Sequence, residues 1–88
     1  PVPRLAREVA PRYPIGAFRR KIEGSVSVQF TIRPDGSVAD VTLTGSTPEG
    51  VFDRAALSAV QQWRFDPPGE SMLIRRTLNF SIATAAPG

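Results

Sequence analysis

Few side chains in this sequence can carry out chemistry, and those few are poorly placed for it. Cysteine and histidine are both absent. That removes the thiolate nucleophile, the commonest general base and the commonest transition-metal ligands. The carboxylates Asp35, Asp40, Glu49, Asp53, Asp66 and Glu70 fall on turns, a helix entry or strand surface. No pair of them has a spacing suited to acid–base work, and no hydroxyl has a base partner. Gly45-Ser46-Thr47 lacks the pattern of a phosphate loop. The expectation is a chain without enzymatic activity, cofactor or metal.

Basic residues are denser. Arg19-Arg20-Lys21 and Arg75-Arg76 form two short clusters in a chain of 88 residues with formal net charge +3. Such clusters usually form a solvated face. The functional alternatives are acidic peptide, cell-wall polymer or lipid headgroups. Glu23 is placed to pair with an arginine of the first cluster, as an exposed ion pair of small worth.

These residues need elements to position them. Residues 1–12 carry three prolines and no sustained period, so they read as the end of an extended linker. Pro14 suits the first position of a short helix, in which Ala17, Phe18 and Ile22 turn inward. From Ser25 the period becomes two: Val26, Val28, Phe30 and Ile32 alternate with polar residues, giving a half-buried strand. Pro34-Asp35-Gly36-Ser37 is a hairpin turn, with proline presetting φ and glycine accepting a positive φ. A second strand, about Val38 to Thr44, turns Ala39, Val41 and Leu43 to one face. Val38 is out of phase with them, which predicts a bulge beside the turn.

Phe52, Ala56, Ala59, Val60 and Trp63 then recur at three- and four-residue steps, the stripe of an amphipathic helix. Pro67-Pro68 ends that element. Trp63 and Phe65 are expected to close the core behind it. A third strand, about Met72 to Ala83, alternates again with Ile74, Leu78, Phe80 and Ile82 on one face. Arg76 falls on that apolar face, its stem packing at the core rim and its guanidinium reaching water.

Two hairpin strands and a third returning after one right-handed crossover share a single sheet in the order 2-1-3. The expected fold is therefore α+β: a three-stranded antiparallel sheet, with a short N-terminal helix and one longer helix on one face. One domain spans 13–84, preceded by the linker end at 1–12 and followed by a flexible tail at 85–88. Strands 2 and 3 are the edges, and a long third strand is a template for another chain unless it is defended.

The ordered set Tyr13-Pro14, Ala17, Ile22-Glu23-Gly24, Val26-Ser27-Val28-Gln29-Phe30, Pro34-Asp35-Gly36, Val41, Ser46, Pro48, Phe52-Asp53 and Trp63-Arg64-Phe65 resembles the TonB C-terminal domain family. The resemblance covers most of the chain. It implies a periplasmic domain at the far end of a protein anchored in the inner membrane by a segment upstream of Pro1. Through that missing part it implies coupling to the ExbB–ExbD proton-driven motor. It also implies outer-membrane transporters for siderophores, haem or cobalamin as partners, bound through their TonB box, which adds a strand to the open edge of the sheet.

Carried onto this sequence, that edge is the third strand. The implied partner-binding positions are Arg12 and Tyr13 beside it, with Ile74, Arg75, Arg76, Thr77, Leu78, Asn79, Phe80 and Ser81 along it. The segment Val9-Ala10-Pro11-Arg12 lacks the polar amides that other members place before the Tyr-Pro pair. Arg12 substitutes a charge.

Two other readings remain. One is a TolA-like or orphan periplasmic adaptor of similar shape that binds another envelope protein or the cell wall. The other is a nucleic-acid-binding sheet, but the open face carries Ser27, Gln29, Thr31, Thr77 and Asn79 where stacking aromatics are needed. Nucleic acid is therefore not an expected partner. A homodimer formed through the exposed third strand is a further expectation.

Overall fold

The two-residue period that begins near Ser25 builds the centre of the molecule. Val26, Val28, Phe30 and Ile32 are wholly buried, and together they supply the sheet's contribution to the core. The computed structural model describes residues 2–84, so the expected tail at 85–88 lies outside the described residues. In chain order the elements are β1 (Leu5–Arg7), α1 (Ile15–Arg19), β2 (Gly24–Ile32), β3 (Val38–Thr47), α2 (Asp53–Gln61), β4 (Arg64–Phe65) and β5 (Met72–Phe80). A 3-10 turn follows at Ile82–Thr84.

The main sheet has the order β3-β2-β5, and both pairings are antiparallel. This is the 2-1-3 arrangement that the crossover rule requires. The helical stripe lies against the sheet: Phe52, Ala56, Ala59, Val60 and Trp63 are all buried. Burying each large apolar side chain stabilises the fold by about 1.5–3 kcal/mol.

Aromatic rings gather at two places in this core. Tyr13 meets Phe18, Phe52 and Phe80 edge-on, with centroids 6.0, 5.3 and 5.9 Å away, and Phe52 stacks on Phe80 at 4.3 Å. Phe30 meets Trp63 edge-on at 6.1 Å and stacks on Phe65 at 5.9 Å.

The hairpin turn forms as its residues require. Gly36 has φ 91°, and its amide closes the turn on the Arg33 carbonyl at 2.8 Å. The Gly36 carbonyl then accepts the Phe65 amide at 2.8 Å, tying the turn to the second aromatic group.

β3 departs from the sequence reading in three ways. It runs to Thr47, three residues beyond the expected end. An extra residue lies between the pairs Thr31↔Ala39 and Gln29↔Thr42, and another between Val28↔Leu43 and Ser27↔Gly45. The first is the bulge expected beside the turn, with Asp40 at φ 53°. It resets the phase so that Val38 and Val41 both pack on the core, while Ala39 shares the side of Thr31. Leu43, expected to face inward with Val41, is 36% exposed.

β5 ends at Phe80, not at Ala83 as the alternation suggested. The cause is Glu23: its Oε2 accepts the Ile82 amide at 2.8 Å and the Ser81 hydroxyl at 3.2 Å. The chain turns at that anchor, and Ile82 still packs on the core from outside the strand. Glu23 therefore holds a strand end, where the sequence reading paired it with the Arg19-Arg20-Lys21 cluster.

The lead-in is extended, and two of its residues also pair. Leu5 lies opposite Phe65 and Arg7 opposite Arg64, in a two-stranded antiparallel ribbon. Sequence reasoning did not find this ribbon, because LAR and RF are too short to show a period.

Candidate functional site

The two edges of the sheet differ. β3 carries its two bulges, which twist and interrupt an edge. β5 pairs with β2 through nine successive residues, from Gly24↔Phe80 to Ile32↔Met72, without a register shift. Among the described residues no strand lies on its other side. An unbulged edge of this kind presents unpaired N–H and C=O groups to another chain.

A groove of about 260 Å³ runs beside this edge. Arg76, Thr77, Leu78 and Asn79 of β5 line it together with Glu8, Pro11 and Trp63. The N-terminal segment is held in place there by residues far away in sequence. Trp63 donates its indole N–H to the Val9 carbonyl at 2.9 Å, and the Asp66 amide donates to the Arg4 carbonyl at 2.8 Å.

The positions singled out from the sequence separate into groups. Ile74, Leu78 and Phe80 turn into the core, so only their backbone faces the edge. Arg76 sits opposite Val28 on that same face, yet it is exposed and lines the groove. On the open face Arg75 donates through Nε to Gln29 Oε1 at 3.0 Å. Thr77 shares a 3.0 Å hydroxyl contact with Ser27. Both side chains are thus held across the sheet to β2. Asn79 is exposed and lines the groove, and Ser81 lies past the strand end.

Tyr13 is buried at the centre of the first aromatic group, and its hydroxyl donates to the Ile22 carbonyl. Its ring is therefore part of the core, and it does not reach the edge groove. Burial, and then the nearby Glu23 charge, push its phenol above the usual tyrosine pKa. Arg12 is exposed and lines a separate groove against α2.

Glu8, Pro11 and Trp63 are groove residues that the sequence reading did not place there. Trp63 was legible as a core residue; nothing local marks the other two. Leu73, on β5, is 65% exposed, a large apolar side chain left in water on the edge strand. Among the described residues no group of three or more carboxylates is placed to hold a metal ion. Among the described residues no helix is long and apolar enough to cross a membrane.

Comparison with known proteins agrees with this architecture. Residues 9–82 match the family described as the Gram-negative bacterial TonB protein C-terminal. The chain is 35% identical over 74 residues to Protein TonB of Escherichia coli, covering 82% of this chain and 31% of that protein. Over 57 residues it is 46% identical to Protein TonB of Pseudomonas aeruginosa, covering 65% of this chain and 17% of that one. The chain thus spans about a third or less of the length of these relatives. The solution structure of the Pseudomonas aeruginosa TonB C-terminal domain superposes with a TM-score of 0.79 at 34% identity, covering 94% of this chain and 89% of that one. A Helicobacter pylori TonB C-terminal domain superposes at 0.69 with 36% identity, covering 83% and 82%.

Proposed function

This chain belongs to the family of Gram-negative TonB C-terminal domains, and from that premise we propose that it is the periplasmic, receptor-engaging end of an energy transducer. In this reading the remainder of the protein anchors in the inner membrane and couples to the ExbB–ExbD motor. The domain takes up the TonB box of an outer-membrane transporter as an added strand on β5. Siderophores, haem or cobalamin are the cargo classes.

The observation that carries the reading is the unshifted nine-residue pairing of β5 with β2, which leaves the opposite edge regular and open beside a groove. Backbone hydrogen bonds along such an edge depend little on partner sequence, so one domain can serve several transporters. A row of them pulled along the strand is loaded together in shear, which suits transmission of force. The contact is small, so the expected Kd is on the order of micromolar.

The test is amide hydrogen exchange on the isotope-labelled chain with a synthetic TonB-box peptide. Strand addition protects alternate amides along Met72–Phe80, those that do not already bond to β2. Uniform protection, or protection confined to α2, would remove the strand-addition reading. Self-pairing of β5 in a homodimer would give the same period-two protection before any peptide is added, and would depend on protein concentration.

A further inference from the structure

Pro11 lines two grooves. One is the edge groove beside β5. The other is larger, about 610 Å³, and lies between residues 9–15 and α2. Of the partner-binding positions implied by the family resemblance only Arg12 and Tyr13 line it, and a strand added to β5 does not occupy it.

Its walls are largely apolar, with Val51 and Ala55 half-buried and Ile15 53% exposed. Among the described residues the charged groups that line it are Arg12 and Arg54, both exposed, and no carboxylate lines it. Its volume lies within the range of pockets that hold compact ligands, roughly 300–1,000 Å³. It combines an apolar trough with two positive charges that lack a negative counterpart in the lining.

We propose that this groove receives an acidic segment with apolar anchors, contributed by the same partner chain whose neighbouring residues add to β5. The inference rests on the strand-addition reading for the identity of that partner. Adjacency supports it, because Pro11 lines both grooves. Charge supports it as well. Arg12 and Arg54 attract carboxylates and fix the register of the segment, while apolar side chains resting on Val51, Ala55 and Ile15 slow its departure.

Three synthetic probes test the proposal by titration of the isotope-labelled chain. The first is a TonB-box peptide. The second is that peptide extended, at either end, by alternating aspartate and leucine. The third is the extension alone. The extended probe is expected to bind at least about tenfold more tightly at low salt, the second contact acting at high effective concentration. Arg54→Glu and, at the exposed lining position Ser58, Ser58→Trp should each abolish that gain, the first by charge and the second by filling the groove. Both should leave binding of the unextended peptide unchanged.

The extension alone should shift amides between Val51 and Ser58 in the parent chain and leave them still in Arg54→Glu. No gain at either end, a gain that survives both variants, or an equal gain from a lysine–leucine extension would overturn the proposal. If the unextended peptide fails to bind while the extension still moves α2 amides, strand addition falls and the groove's acidic preference stands alone. If neither probe moves any amide, both readings fall.

Discussion

Trp63 and Val9 are 54 positions apart, yet the Trp63 indole N–H lies 2.9 Å from the Val9 carbonyl oxygen and donates to it. One residue thereby does two jobs. Its ring closes the core against Phe30 and Phe65, and its nitrogen holds the N-terminal segment as a wall of the edge groove. The two jobs can be separated. Trp63→Phe keeps an aromatic ring and deletes the donor, at an expected cost of about 0.5–1.5 kcal/mol. Amide exchange should show residues 5–9 losing protection while β2 keeps its own. Trp63→Ala removes the ring as well and should cost about 3–5 kcal/mol, enough to unfold much of so small a domain.

Gly24 is a second sensitive point. A Cβ there would lie 2.0 Å from the Thr47 carbonyl oxygen, 2.8 Å from Pro48 Cδ and 3.0 Å from a Phe52 ring carbon. Gly24→Ala is therefore expected to push β3 and the α2 entry away from β2, at a cost of about 1–3 kcal/mol. Denaturant unfolding measures it. Gly45→Ala, where a Cβ meets nothing within 4 Å, is the matched control and should change stability little.

The raised Tyr13 phenol makes stability depend on alkaline pH. The folded state holds this proton more tightly than the unfolded chain. Its contribution is complete below the unfolded tyrosine value of about 10 and is lost as pH rises through the higher folded value. Absorbance at the phenolate band should titrate late, and thermal stability should fall over that window. Tyr13→Phe should flatten the alkaline fall in stability.

Asp35 acts at the opposite end of the scale. The Ser37 hydroxyl at 2.6 Å and the Ser37 amide at 2.9 Å both donate to its Oδ1. These bonds, with a smaller contribution from Arg33, hold the carboxyl below its usual value. The stabilisation is present above the unfolded aspartate pKa and is lost as pH falls through the lower folded one. A carbon-detected titration of the carboxyl should place its midpoint below that of a free aspartate. Ser37→Ala should move the midpoint up.

The parts of the fold legible in the sequence are those with a repeating signal. Val26 to Ile32 and Phe52 to Trp63 each repeat an apolar residue often enough to reveal period and face. Pro34-Asp35-Gly36 revealed the turn and, through Val38, its bulge. What escaped depends on single long-range contacts. The end of β5 is set by the Glu23 carboxylate, and the pairing of Leu5 with Phe65 joins two segments too short to announce themselves. The edge strand was legible from alternation in Met72–Phe80, but the groove beside it needed Glu8 and Pro11, which only the tertiary structure brings there. Tyr13 carries a different lesson: the family resemblance implied a partner-binding position, and the structure adds that its ring is buried in the core.

The N-terminal ribbon has a mechanical consequence. A pull at Val2 meets the Arg4–Asp66 bond, the Leu5–Phe65 and Arg7–Arg64 pairs and the Val9–Trp63 bond one after another. A pull directed away from β4 opens them one at a time, like the teeth of a zip, whereas a pull along β1 loads the ribbon pairs together. The Tyr13 ring group comes last. Releasing residues 4–12 frees about 30 Å of chain before tension reaches the core. The domain thus carries its own reserve of leash, wound against the part that must stay folded.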